Sequence, residues 1–249
     1  MSPLLIVQNN YVEHLTGPLA VAARARGIEV FDVSFHSGID IAFPDVGERP
    51  VLIYGSVGFI RFCKERFPQW IFWEEDRMLA SRWDRELGHY MLNHDGQELT
   101  VEQFSALYDI QMHVRPLEMD KWLTGGLYRP PEVITRTNSL DRKIWVAKPK
   151  DILAEIRIWW IDRKAVAQSM YRCNGEHRRT ADHEYVVEAV EYAQTIASHF
   201  MPMHHCVMDV CLTLKGWYVV EFNPLHSSGW YAADPGLVMD RYFEAVMPR

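Results

Sequence analysis

Residues 207–223 read VMDVCLTLKGWYVVEFN, two β-rich runs on either side of Leu214-Lys215-Gly216. A three-residue hairpin loop closing on glycine is a recognised class, because the last loop residue takes a positive φ that glycine adopts without strain. That turn pairs Thr213 with Trp217, and therefore Asp209 with Glu221. Side chains alternate along a strand, so Glu221 and Asn223 share a face. Asp209, Glu221 and Asn223 then converge on one patch of sheet as three oxygen ligands. Magnesium takes hard oxygen ligands of this kind and leaves its remaining positions to water and phosphate oxygens. A solvated polar face is the competing reading, and it suits the pattern poorly. Val219 shares the parity of the acids, and Glu221 is followed by Phe222 and Pro224.

The preceding β-rich pair runs over 155–161 and 165–172 through Asp162-Arg163. A two-residue turn pairs Arg157 with Gln168 and leaves Arg172 four residues further along the same face. The two guanidiniums are then offset by roughly 14 Å along the strand. Arg is harder than Gly in such a turn, so a wider loop with the register moved by one is the alternative. Arginines on a strand face are most often surface ion pairs, but this spacing could also bracket a triphosphate and its acceptor. A further basic element is His113-Val114-Arg115-Pro116, followed by Lys121-Trp122-Leu123-Thr124-Gly125-Gly126.

The first part of the chain alternates strands and helices. Residues 4–7 are a short continuous apolar run, as in a strand covered on both faces. Residues 11–26 carry a helical apolar pattern, and Gly27 fits the position just past a helix end. Residues 28–33 and 51–54 read as further strands, with a helix over roughly 59–67. This order implies a parallel, Rossmann-like sheet in an α/β chain, ending near residue 85. Gly55-Ser56-Val57-Gly58 is neither a dinucleotide nor a P-loop fingerprint, and reads as a tight turn or a substrate-facing loop. Residues 84–97 look like a polar connection and 101–108 a short helix.

Composition sets the outer bounds. The 249 residues, 48% apolar and 24% charged, suit one large or two small globular domains and exclude disorder. The apolar runs at 4–7 and 158–161 fall far short of the ~20 residues of a bilayer span. Met1-Ser2-Pro3-Leu4 lacks the basic start and long apolar core of a signal peptide. The four cysteines (Cys63, Cys173, Cys206, Cys211) form no CxxC pair, which suits free thiols and a cytoplasmic protein. The net charge of −7 excludes a polyanion binder. Residues 142–179 nevertheless hold ten Lys/Arg against four acids, which suits a small anionic ligand such as a nucleotide. His204-His205-Cys206 with Cys211 lacks the spacing of a structural zinc site. The tryptophans at 70, 73, 159 and 160 lie in apolar segments and read as core.

Together these residues resemble a known family. Asp209 with Glu221-Phe222-Asn223-Pro224 is similar to the magnesium site of the ATP-grasp superfamily. Val114-Arg115-Pro116, Lys121 with Thr124-Gly125, Glu155-Ile156-Arg157 and Tyr171-Arg172 resemble one ATP-grasp clade, marked by two arginines and a lysine beside the usual metal ligands. The likeness covers roughly 85–249 and implies an α+β, two-subdomain ATP-grasp fold over 86–249. Its smaller part would span about 100–143 and its hairpin-rich part about 144–249, behind a Rossmann-like pre-ATP-grasp domain over 1–85.

The resemblance also implies roles. Arg115 and Lys121 would hold the β- and γ-phosphates of ATP. Residues 145–150 would be the hinge strand that meets adenine through its backbone, at Ala147, Lys148 and Lys150, since Pro149 has no N–H. Glu155 would receive the ribose hydroxyls. Arg157 and Arg172 would steady the transferred phosphoryl group, and Asp209, Glu221 and Asn223 would hold two Mg2+ ions. His226-Ser227-Ser228 would border the acceptor pocket. The glycine-rich lid of the wider superfamily is reduced here to Thr124-Gly125-Gly126. The implied activity is a carboxylate–amine ligase working through an acyl phosphate and releasing ADP. Its substrates would be small-molecule or peptide acids and amines, with neither nucleic acid nor membrane as partner. A kinase using the same site, or a nucleotide-binding regulatory module, are the alternatives.

Overall fold

The computed structural model describes residues 2–11, 13–36, 41–71, 73–117 and 122–247. Its first sheet is parallel, with β1 (Leu4–Gln8) between β2 (Glu29–Val33) and β3 (Val51–Tyr54). Leu4 to Val7 are all buried, as a central parallel strand covered on both faces requires. Helix α1 (Glu13–Ala25) ends at Gly27, whose φ of 69° is the left-handed conformation that closes helices. Helix α2 (Val57–Arg66) follows β3 directly, and the Ser56 hydroxyl caps it by accepting from the Phe59 amide at 3.2 Å. Gly55–Gly58 is therefore a tight turn into a capped helix. A Cβ on Gly55 would lie 2.6 Å from the Phe59 ring, so only glycine lets the chain pass.

Residues 84–97 are not a plain polar connection. Helix α3 (Ala80–Leu87) takes in the first of them and buries Ala80, Trp83 and Leu87, a helical spacing. The chain then runs beside the last sheet, where the Leu92 amide donates to Val219 O at 2.8 Å.

The second sheet is antiparallel, in the order β4-β7-β5-β6, from β4 (Gln97–Thr100), β5 (Met112–Pro116), β6 (Gly126–Tyr128) and β7 (Lys143–Ala147). Two short helices, α4 (Val101–Ser105) and α5 (Pro130–Ile134), cover it around their own small core of Val101, Phe104, Val114, Leu123, Val133, Ile144 and Val146.

The third sheet has the order β10-β9-β8-β11-β12 and is antiparallel throughout. Its strands are β8 (Ile152–Ile161), β9 (Lys164–Cys173), β10 (Glu176–Thr180), β11 (Cys206–Thr213) and β12 (Gly216–Pro224). Ile156, Ile158, Trp160, Met208 and Val210 face helix α6 (Glu184–His199). On the other face, Trp159, Ile161 and Val207 pack with helix α7 (Pro235–Val246) and with the first sheet. That second face turns polar further along the same strands, at Glu155, Arg157 and Asp209.

Two bulged ladders decide what meets there. At the β11–β12 turn the ladder pairs Thr213 with Gly216 (φ 118°), one residue short of the expected Trp217. A bulge at Val220 then adds the missing residue, and Asp209 pairs with Glu221 as expected. At β8–β9, Asp162 and Arg163 do form a two-residue turn, with φ of 48° and 59°. The strain is offset by outside contacts. Asp162 N donates to His205 Nδ1, Arg163 N to His204 O, and the Arg163 guanidinium to Ala197 O. The expected Arg157–Gln168 pair is wrong, because a bulge at Val166 sets Arg157 opposite Ser169. A second bulge at Tyr171 sets Arg172 opposite Glu155. The two arginines are thus two residues apart in register, roughly 7 Å along the strand and half the expected separation.

Candidate active site

A cleft of about 580 Å³ opens between the second and third sheets. Its floor comes from the polar half of the third sheet: Glu155 from β8, Tyr171 and Arg172 from β9, Glu221 and Asn223 from β12. Its roof carries His113 and Arg115 from β5 and the loop 124–126, and Lys150 stands at one side in an ion pair with Asp95.

Beneath the floor lies a buried ion pair. Arg157 Nε donates to Asp209 Oδ1 at 2.8 Å and Nη2 to Oδ2 at 2.6 Å, the forked geometry of the strongest charge pairs. Burial raises the Asp209 carboxyl and the guanidinium opposes it; Asp209 in turn raises Arg157 against its own burial. Glu155 is also raised, chiefly by burial, with Arg172 opposing. Arg172 Nη1 stands 3.1 Å from Glu155 Oε2, yet that buried oxygen has no hydrogen-bond partner among the described residues. It is an acceptor without a donor, suited to a ligand hydroxyl.

Arg115 is oriented from two sides. Its Nη2 lies 3.6 Å from Glu221 Oε2, and its guanidinium sits 5.3 Å from the centre of the Trp83 ring. Trp83, fully buried, in turn packs edge-on against Phe222 at 5.4 Å. The residue chemistry of α3 gave no reason to place Trp83 at the site.

The oxygen set fits a hard cation. Asn223 Nδ2 stands 2.9 Å from Glu221 Oε1 and 3.3 Å from Asp209 Oδ2, so one donor bridges the two carboxylates where a cation would lie. Each Asp209 oxygen spends one lone pair on Arg157 and keeps another. Among the described residues no three His, Cys, Asp or Glu side chains form a metal cluster by themselves. The set here is two carboxylates and an amide.

Of the residues expected at the site, Arg115, Lys150, Glu155, Arg172, Glu221 and Asn223 line the cleft, and Arg157 and Asp209 underlie it. Ala147 ends β7 opposite His113, and exposed Lys148 follows it; neither lines the cleft. Lys121 lies outside the described residues. His226, Ser227 and Ser228 are elsewhere. All three are buried where the chain leaving β12 docks on β3. His226 O accepts from Gly55 N at 2.9 Å, its Nδ1 meets Ile53 O at 2.7 Å, and the Tyr54 hydroxyl donates to Ser228 O. Ser228 Oγ donates to Pro224 O at 2.7 Å. Proximity in sequence to Asn223 suggested an acceptor pocket, but these side chains latch the first sheet to the third.

That latch predicts an acid sensitivity. His226, His205 and His113 are each pushed down to about 4, chiefly by burial. A folded-state value below the unfolded one of about 6.5 gives stability that is complete above pH 6.5 and lost as pH falls toward 4. The loss should be on the order of 1–3 kcal/mol per histidine. Thermal midpoints between pH 7.5 and 5 should fall, and the slope should be shallower in His226→Asn, which keeps an amide donor near Ile53 O. An equal slope in the variant would remove His226 from this role.

Among the described residues, no helix is long and apolar enough to cross a membrane. The fold is shared with solved structures at low identity. A RimK domain ATP-grasp protein from Sphaerobacter thermophilus is 13% identical with a TM-score of 0.64, over 96% of this chain and 98% of that one. D-alanine–D-alanine ligase from Bacillus anthracis is 12% identical with a TM-score of 0.63, over 98% and 97%. A RiPP-associated ATP-grasp ligase from Chryseobacterium gregarium, solved with ADP and leader and core peptide, is 9% identical with a TM-score of 0.53, over 100% and 98%. No curated protein matches the sequence. The model of an ATP-grasp domain family, the third of the two-arginine-and-lysine clade, matches residues 80–241, well over half of the chain, and the protein belongs to that family.

Proposed function

We propose that the chain is an ADP-forming ligase that joins a carboxylate to an amine through an acyl phosphate. The observation that carries this reading is the convergence of Arg115, Glu221, Asn223 and the Arg157–Asp209 pair on one cleft between two sheets. Phosphoryl transfer is governed by positioning and by neutralising charge, and those are the things this residue set provides.

In this reading ATP lies in the cleft. Arg115, with Lys121, takes the β- and γ-phosphates, the backbone of residues 147–150 meets adenine, and the unpartnered Glu155 oxygen receives a ribose hydroxyl. Asp209, Glu221 and Asn223 would hold magnesium, which neutralises charge on the phosphate oxygens when bound. A substrate carboxylate oxygen attacks the γ-phosphorus while the β–γ bridging P–O bond breaks and ADP leaves. Arg157 and Arg172 stand where that transfer would be flanked. The amine nitrogen then attacks the acyl carbon, the C–O bond to phosphate breaks, and the amine loses a proton. The same reading assigns residues 1–85 as the pre-ATP-grasp unit and places the protein in the cytoplasm.

Incubation with Mg·ATP and a small-metabolite extract, followed by mass spectrometry, tests this. ADP with a condensed product is expected. ADP with a phosphorylated metabolite would favour a kinase, and AMP would contradict the acyl phosphate.

The aromatic support of Arg115 is separately testable. Trp83→Leu removes the ring under the guanidinium and should weaken ATP binding by roughly threefold to tenfold in calorimetry. Unchanged affinity would show that Trp83 does not position Arg115.

A further inference from the structure

The floor of the cleft continues beyond Arg172 into a cluster that ATP does not need. Three guanidiniums of the site have carboxylate partners: Arg157 with Asp209, Arg172 with Glu155, Arg115 with Glu221. Arg179, on β10, has none among the described residues. It is exposed, and its one contact is with the Tyr231 ring, 5.8 Å from the centroid.

Tyr231 is held there against its own backbone preference. Its φ is 53°, a conformation that a tyrosine rarely adopts, and such strain persists only where the surroundings fix it. Its neighbours do so from three sides. Trp230 stacks between Tyr54 and Trp159, Ala232 N donates to the buried Ser169 Oγ at 3.1 Å, and Arg157 Nη1 meets Gly229 O at 3.4 Å. The strained residue projects its ring over the site. The ring stacks on Tyr171 at 4.9 Å and lies 5.2 Å from the Arg157 guanidinium, with 37% of the residue exposed. One aromatic plate therefore faces two arginines, one already neutralised and one not.

Neither Arg179 nor Tyr231 lines the ATP-sized cleft, whose wall ends at Tyr171, Arg172 and Gly175. The uncompensated charge thus sits on the far side of Arg157 and Arg172, where the acid substrate would enter. We propose that Arg179, steadied by Tyr231, binds a second anionic group of that acid: a carboxylate distinct from the one that is activated. This rests on the ligase reading above and narrows its substrate class to acids with at least two carboxylates. Fork-shaped pairing of guanidinium with carboxylate supplies the recognition.

Hydroxylamine, a general nucleophile toward acyl phosphates, replaces the unknown amine in the test. Enzyme, Mg·ATP, hydroxylamine and an unfractionated cell extract are incubated, and hydroxamates are identified by mass spectrometry. The expected product is the hydroxamate of an acid bearing another free carboxylate. With that acid purified, Arg179→Ala should raise its KM about tenfold or more, moving kcat and ATP affinity far less. Arg179→Lys should recover part of the loss, and Tyr231→Leu should also raise KM. Hydroxamates of acids without a second anion, or an unchanged KM in Arg179→Ala, would overturn the subsite and leave the ligase standing. A second anion that is a phosphate would overturn the carboxylate assignment. No hydroxamate at all, with Mg·ATP still bound, would instead overturn the ligase reading itself.

Discussion

Replacing Glu221 by Ala should abolish turnover and leave the fold standing. Glu221 is a third exposed at its side chain, with one oxygen bonded to Asn223 and the other facing Arg115. Its removal takes no packing from the core, and it relieves repulsion on Asp209, whose carboxyl the Glu221 charge helps to raise. Stability should therefore change little, by less than about 1 kcal/mol. Activity should fall by about a thousandfold or more, because a preorganised charge at the phosphate oxygens is lost. Steady-state ADP release and a thermal melt on the same preparation decide it. Retained turnover would remove Glu221 from the metal set. A collapsed melting temperature would show it to be structural.

The buried pair beneath the floor predicts the opposite balance. Arg157→Met leaves Asp209 buried without its guanidinium, and breaking such a pair costs about 3–5 kcal/mol. For a chain of this size that lowers the melting temperature by roughly 6–20 °C. The double variant Arg157→Met/Asp209→Leu replaces the charges with apolar groups of similar size and should recover most of the stability. It should recover none of the activity, since both residues sit at the transfer site. Recovered turnover in the double variant would show the pair to be scaffolding alone. A single variant as stable as the parent would mean that Asp209 is neutral in the fold.

How far the sequence could be read depends on what each feature is made of. Patterns that repeat along one strand or helix were legible: the apolar β1, the periodic α1 closing at Gly27, and the alternation that sets Glu221 beside Asn223. The pairing of Asp209 with Glu221 was also legible, though by two offsets that cancel. The ladder starts one residue short at Gly216, and the Val220 bulge restores the count. Bulges leave no mark in polar–apolar alternation, so Val166 and Tyr171 could not be foreseen, and the arginine spacing was overestimated twofold. The Asp162-Arg163 turn is tight because His204, His205 and Ala197 hold it from distant parts of the chain. Strand β10 was missed although Asn174-Gly175 carries a strong hairpin signal, with φ of 49° and 81°. Trp83 and Tyr231 reach the site only through the fold. The polar look of His226-Ser227-Ser228 misled, because backbone carbonyls of β3 and β12, not a ligand, satisfy the His226 and Ser228 side chains.

The central claim is that a carboxylate oxygen is phosphorylated on the way to the product. The most direct measurement follows that oxygen. The acid identified by product analysis is labelled with ¹⁸O in its carboxyl group and turned over with Mg·ATP and its amine, and the released phosphate is analysed by mass spectrometry. One labelled oxygen per phosphate is the predicted result, because the C–O bond breaks after the P–O bond to that oxygen has formed. Unlabelled phosphate beside a labelled product would contradict the acyl phosphate.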